Sequence, residues 1–151
     1  MWWALCSAVW ENGWHAMRIL GIDPGGRRVG FAVSDPLGIT AQGLETFDTR
    51  SGVDLVEYIA GLAAQYAVEE IVVGYPLGLR GQQGASTEKA ATLARTIGER
   101  LGLRVTLWDE RFSSEEAKRV LRGTRAAKSA VDKLAAVVIL QSYLDYRRRA
   151  D

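Results

Sequence analysis

The chain predicts an α/β fold, one mixed sheet with helices on both faces, and three observations carry that expectation. Apolar strands at the start are joined by short turns. Ile71-Val72-Val73-Gly74 is a continuous apolar run, the pattern of a parallel strand buried on both sides. Stretches with helical periodicity alternate with the later strands, as crossover connections require.

The first strand is Met17-Arg18-Ile19-Leu20-Gly21-Ile22-Asp23, closed by the turn Pro24-Gly25-Gly26-Arg27. A second strand follows from Arg28 to Ser34, with Val29, Phe31 and Val33 on one face, and a third from about Gly38 to Phe47. Asp35-Pro36-Leu37-Gly38 between them has hairpin-turn chemistry. Val53 to Tyr66 repeats at helical spacing through Val53, Val56, Ile59, Leu62 and Ala63. Tyr75 to Ala85, with three glycines and one proline, reads as a flexible loop. A helix from Ser86 to Gly102, with Ser86 as N-cap, leads to a last strand, Val105 to Trp108. Ser113 to Leu121 and Ser129 to Arg149 complete the chain as a short and a long helix.

At 151 residues the chain suits one domain and is too short for two full ones. A single cysteine excludes an internal disulfide framework and a cysteine-based zinc cluster. The cytoplasm is the expected compartment, and no apolar run reaches the ~20 residues of a membrane helix. The net charge of +1 hides a split. Residues 1–79 hold 4 basic and 9 acidic side chains, and residues 80–151 hold 15 and 9. The second half therefore suits a polyanion. Residues 1–16 carry four of the five tryptophans, Cys6 and His15 but no lysine or arginine, so a basic signal-peptide start is absent. They read as a poorly packed extension or an upstream start, with the fold occupying 17–151; a Trp-rich docking arm is the alternative.

Without the extension the chain holds no histidine or cysteine, so Ser-His-Asp and Cys-His machinery are absent. Gly81-Gln82-Gln83-Gly84-Ala85-Ser86 lacks the Gly-Lys-Ser/Thr ending of a P-loop. Carboxylates remain. Asp23 reaches a glycine turn at the end of a buried strand, which suits a metal ligand, although an Asp-Pro-Gly turn needs no function. Asp109 and Glu110 directly follow the last strand, and where the strand persists through them they point to opposite faces, so at most one joins Asp23 directly. Asp132 fits a capping box after Ser129, yet it shares a helical stripe with Ala135, Ala136, Ile139 and Tyr143. Three converging acids would raise one another's pKa values, a penalty that Mg²⁺ or Mn²⁺ removes. Two ions roughly 4 Å apart would activate water and stabilise the leaving oxygen in phosphodiester hydrolysis. Lys118, Arg119, Arg122, Arg125, Lys128 and Lys133 surround Asp132 in sequence. They form either a solvated face or a clamp on a sugar-phosphate backbone.

These residues bring a resemblance. Gly21-Ile22-Asp23-Pro24-Gly25 and Arg27-Arg28-Val29-Gly30-Phe31-Ala32-Val33-Ser34-Asp35 are similar to the opening of the YqgF/RuvX family. Val73-Gly74-Tyr75-Pro76-Leu77, Asp109-Glu110-Arg111-Phe112-Ser113 and Lys128 through Asp132 to Ala136 match its later motifs, over about 17–147. That family comprises Holliday junction resolvases and pre-16S rRNA nucleases. The resemblance implies an RNase H-like fold with a five-stranded mixed sheet flanked by helices. It implies a metal-dependent nuclease acting on branched DNA or precursor rRNA, with Mg²⁺ or Mn²⁺ held by Asp23, Glu110 and Asp132. The choice of Glu110 over Asp109, which stays in reserve, comes from the resemblance. Arg111 and Lys128 fall on motif positions as phosphate contacts, Arg27 and Arg28 are further candidates for nucleic-acid binding, and a homodimer is compatible with the resemblance. Gly78-Leu79-Arg80-Gly81 departs from the family pattern, which leaves the role of the 75–85 loop open. Two other classes compete: a non-catalytic nucleic-acid module, and an actin-like or sugar-kinase-type nucleotide-binding domain, which would need a second copy of the fold.

Overall fold

A glycine turn sets the first hairpin. At Gly25 an added Cβ would lie 2.2 Å from the carbonyl oxygen of Arg28, so the backbone crosses itself too closely for any side chain. The turn joins β1 (Arg18–Pro24) to β2 (Arg28–Ser34), which pair antiparallel with Ile22 opposite Phe31 and Asp23 opposite Gly30. The computed structural model describes residues 18–75, 84–110 and 128–150, and the side chains of all these except 85, 86 and 128–132.

The expected third strand is two. β3 (Ala41–Gly43) and β4 (Phe47–Asp48) both pair antiparallel with β2. Ala32 faces Gly43 while Val29 faces Phe47. Three steps along β2 thus oppose four along its partner, and the extra residue breaks the ladder. The preceding turn forms as expected: Gly38 adopts φ +69°, and the Asp35 carboxylate accepts the backbone N–H groups of Ile39 and Thr40 at 2.6 and 2.9 Å.

β5 (Val68–Tyr75) and β6 (Arg104–Asp109) extend the sheet in parallel beyond β1, giving the order β3-β2-β1-β5-β6, with β4 also on β2. Both strands are longer than the apolar runs announced, because strand pairing continues through Glu70 and Asp109.

Helices cover both faces. α1 (Leu55–Gln65) starts at Leu55, not Val53, because Asp54 caps it by accepting the N–H of Val56 at 2.9 Å. α2 (Ala85–Leu101) has Gly84 at its N-cap, so Ser86 lies inside the helix. Gly102, at φ +66°, ends it with its N–H on the Gly98 carbonyl. These two pack on Leu20, Ile22, Phe31, Ile71 and Val73. α3 (Lys128–Ala150) covers the other face through Ala136, Ile139, Leu140, Tyr143 and Leu144. It is described from Lys128 onward, with Ser129 in helical conformation, and the side chains of the expected capping box lie outside the described residues. α3 lies close to the sheet because glycines floor its seat. An added Cβ would come 2.8 Å from Leu140 Cβ at Gly21 and 2.6 Å from Ile139 Cδ1 at Gly74.

Candidate active site

β1, β5 and β6 run parallel, so their carboxyl ends share one rim, the edge where open α/β sheets place their ligands. Ile22 aligns with Val73 and Val73 with Leu107. One step further, Asp23, Gly74 and Trp108 form a row across three strands. At ~4.8 Å per strand the backbones of Asp23 and Trp108 are about 10 Å apart, with a glycine between them. Strand alternation sends Ile19, Gly21 and Asp23 to the α3 side, where Ile19 packs on that helix.

The end of β6 divides its two acids. Val105 packs on the α1/α2 side and Trp108 on the α3 side. Asp109 shares the parity of Val105, aligns with Tyr75 and is buried at 3 % exposure. Glu110, half-buried, lies just past the strand end in a 3₁₀ turn, where the two-residue alternation of the strand no longer applies. Strand parity thus turns Asp109 to the face opposite Asp23, and Glu110 follows it at the same carboxyl-end rim.

The remaining expected residues fall as follows. Asp132 and Lys128 lie in the first turns of α3, but their side chains are outside the described residues. Arg111, Lys118, Arg119, Arg122 and Arg125 also lie outside them, as do the expected helix 113–121 and the loop residues 76–83. Among the described residues no three His, Cys, Asp or Glu side chains cluster as a metal site. Arg27 is exposed in the β1–β2 turn beside the Asp23 rim, and its carbonyl accepts the Thr49 N–H at 2.9 Å. Arg28 opens β2, half-buried, opposite Asp48.

The sequence reading missed one polar group. Glu70, 2 % exposed, lies toward the opposite end of β5 and accepts hydrogen bonds from Tyr143 (2.6 Å), Thr106 (3.0 Å) and Arg147 (2.9 Å). Burial first, and then the bond to Glu70, push the Tyr143 hydroxyl pKa upward. The available signal was an acid directly preceding the apolar run at Ile71, on the same strand face as Val72.

The RuvX family, described as Holliday junction resolvase, matches residues 17–146. A protein of Koribacter versatilis named "Putative pre-16S rRNA nuclease" is 47 % identical over 134 residues, covering 86 % of this chain and 88 % of the relative. One of the same name from Syntrophus aciditrophicus is 46 % identical over 133 residues, covering 85 % and 89 %. Thermus thermophilus RuvC, solved with a Holliday junction substrate, superposes with a TM-score of 0.61 at 18 % identity, over 89 % of this chain and 96 % of that one. The yeast mitochondrial resolvase Ydc2 gives 0.56 at 10 % identity, over 90 % and 81 %. At such identities these structures speak for the fold alone, an RNase H-like mixed sheet flanked by helices.

Proposed function

The chain belongs to the RuvX family of Holliday junction resolvases, nucleases that hydrolyse nucleic-acid ester bonds, and from that membership we propose that it is a divalent-metal-dependent endonuclease trimming precursor 16S rRNA. The observation that carries the reading is the shared rim: Asp23 at the carboxyl end of β1 and Glu110 just after the end of the parallel strand β6.

Asp23, Glu110 and Asp132 are the proposed metal ligands. The donors are all carboxylate oxygens, which suits hard, oxygen-preferring Mg²⁺ or Mn²⁺. Bound there, the metal supplies an activated water and charge neutralisation at the leaving oxygen. The protein's own part is to hold these oxygens on rigid elements and to grip the phosphates flanking the scissile bond. Arg27 and Arg28 at the rim, together with Arg111, Lys118, Arg119, Arg122, Arg125 and Lys128 in the sequence from the end of β6 to the start of α3, are the proposed phosphate contacts.

The name carried by relatives at 46–47 % identity favours precursor rRNA as substrate. The family description favours a second reading, cleavage of a four-way DNA junction. One panel separates them: precursor rRNA, a four-way junction and plain duplex DNA, each with Mg²⁺ and Mn²⁺, wild type beside Asp23→Asn. The expected result is metal-dependent cleavage of the rRNA precursor, abolished by Asp23→Asn while binding persists. Undiminished turnover by Asp23→Asn would sink the proposed ligand set, and binding with no wild-type cleavage of any substrate would point to a non-catalytic module.

A further inference from the structure

Glu70 is an acid within a strand buried on both sides. Its Oε1 accepts from Tyr143 Oη at 2.6 Å and Thr106 Oγ1 at 3.0 Å, and its Oε2 accepts from Arg147 Nη1 at 2.9 Å. Arg104 Nε stands 4.0 Å from Oε1. One carboxylate thus ties β5 and β6 to two successive turns of α3. A buried ion pair is a weak source of net stability, and apolar residues of similar volume would fill the space as well or better. What such a group adds is a single permitted seat, because any shift of the helix leaves a buried charge unpaired.

The seat matters because of where the other tethers are. The described hydrogen bonds from α3 to the sheet come from one stretch. Gln141 accepts from Ala41 N at 3.0 Å and donates to the Ile39 carbonyl at 2.9 Å, Ser142 accepts from Trp108 Nε1 at 2.8 Å, and Tyr143 and Arg147 reach Glu70. Among the described side chains upstream of that stretch, three sit over glycine: Lys133 over Gly43, Leu140 over Gly21 and Ile139 over Gly74. Those contacts are close but non-directional, whereas the hydrogen bonds to Glu70 fix direction as well as distance. Position 132 shares the azimuth of Ala136, Ile139 and Tyr143 at 100° per residue, and lies about 16 Å upstream of Tyr143 at 1.5 Å rise per residue. Slipping the helix by one residue would turn position 132 by about 100°.

We propose that Glu70, through Tyr143 and Arg147, is a positioning residue that fixes the rotation and axial register of α3 and so presents Asp132 to the rim carrying Asp23. The inference rests on the reading of Asp132 as a metal ligand; the clamp acts at a distance and touches no substrate.

Spin labels at Glu57, exposed on α1, and Leu134, exposed on α3, placed in a Cys6→Ser background, report helix seat independently of activity. Tyr143→Phe removes one hydroxyl, so it tests the clamp even where Glu70→Gln fails to fold. Leu144→Ala, at a buried position of α3 outside the described clamp bonds, is the control for destabilisation alone. The clamp predicts a shifted or broadened 57–134 distance in Tyr143→Phe and Glu70→Gln. It also predicts a fall in kcat of up to ~10²-fold on precursor rRNA with KM unchanged, the scale of a misplaced group. Leu144→Ala should lower Tm and change neither. An unmoved distance in both clamp variants overturns the proposal whatever kcat does, as does a Leu144→Ala variant that reproduces both effects. Asp132→Asn, assayed alongside, separates the premise: full activity there would overturn the role of Asp132 even if the distances shift.

Discussion

At the scale of single residues, glycine and aspartate make the rim. Gly25 permits the turn that follows Asp23, since an added Cβ would meet backbone, not a movable side chain. Gly21 and Gly74 differ in kind. A methyl at Gly21 strikes Leu140 at its Cβ, close to the helix backbone, whereas at Gly74 it meets the flexible end of Ile139. Gly21→Ala should therefore destabilise by about 1–3 kcal/mol, the usual overpacking range, and Gly74→Ala by less. Gly25→Ala should be the worst of the three. Urea unfolding of the three variants checks the ranking; equal midpoints for Gly21→Ala and Gly74→Ala would contradict it.

Among the elements, α1 shows how a cap overrides a periodic pattern. Asp54 caps the helix and meets Arg100 of α2 at 3.1 Å. The Val56 N–H, and then Arg100, hold its carboxyl below the usual 3.8. A carboxylate with a lowered folded-state pKa stabilises the protein fully above its unfolded value, and loses that contribution as pH falls through the folded one. Asp54→Ala should thus lower stability at neutral pH, and its gap from wild type should narrow as pH falls from the unfolded-state value through the lower folded-state one. Thermal melts across that range test it. A gap that stays constant down to the acid end would exclude the charged cap as its source.

For the molecule as a whole, charge and chain extent are the quantities to test. The basic half predicts salt-sensitive binding: replacing Lys118 and Arg122 by Gln should reduce the slope of log K against log salt by about 0.7–0.9 per lost phosphate contact. Filter binding at several salt concentrations measures this, and an unchanged slope would remove those residues from the interface. We expect the domain to begin at 17, where the family match also begins. A chain lacking residues 1–16 should keep its Tm and its cleavage rate; a large loss of either would assign the Trp-rich arm a docking role. No helix among the described residues is long and apolar enough to cross a membrane.

Local chemistry alone determined much of this. The apolar run at Ile71, the turns at Asp35 and Gly25, and the alternation in β2 each rest on preferences within a few residues, and all three appear as expected. The acids at the carboxyl ends of β1 and β6 were legible for the same reason, since a strand's end and parity can be read from its own sequence. Pairing between distant segments was not legible. The interruption between β3 and β4 depends on register with β2, and the parallel order that aligns Asp23 with Gly74 and Trp108 depends on which strands become neighbours. The Glu70 clamp joins positions 70, 106, 143 and 147. No local pattern marks those residues as partners, because a buried charge acquires its partners only when the helix closes over the sheet.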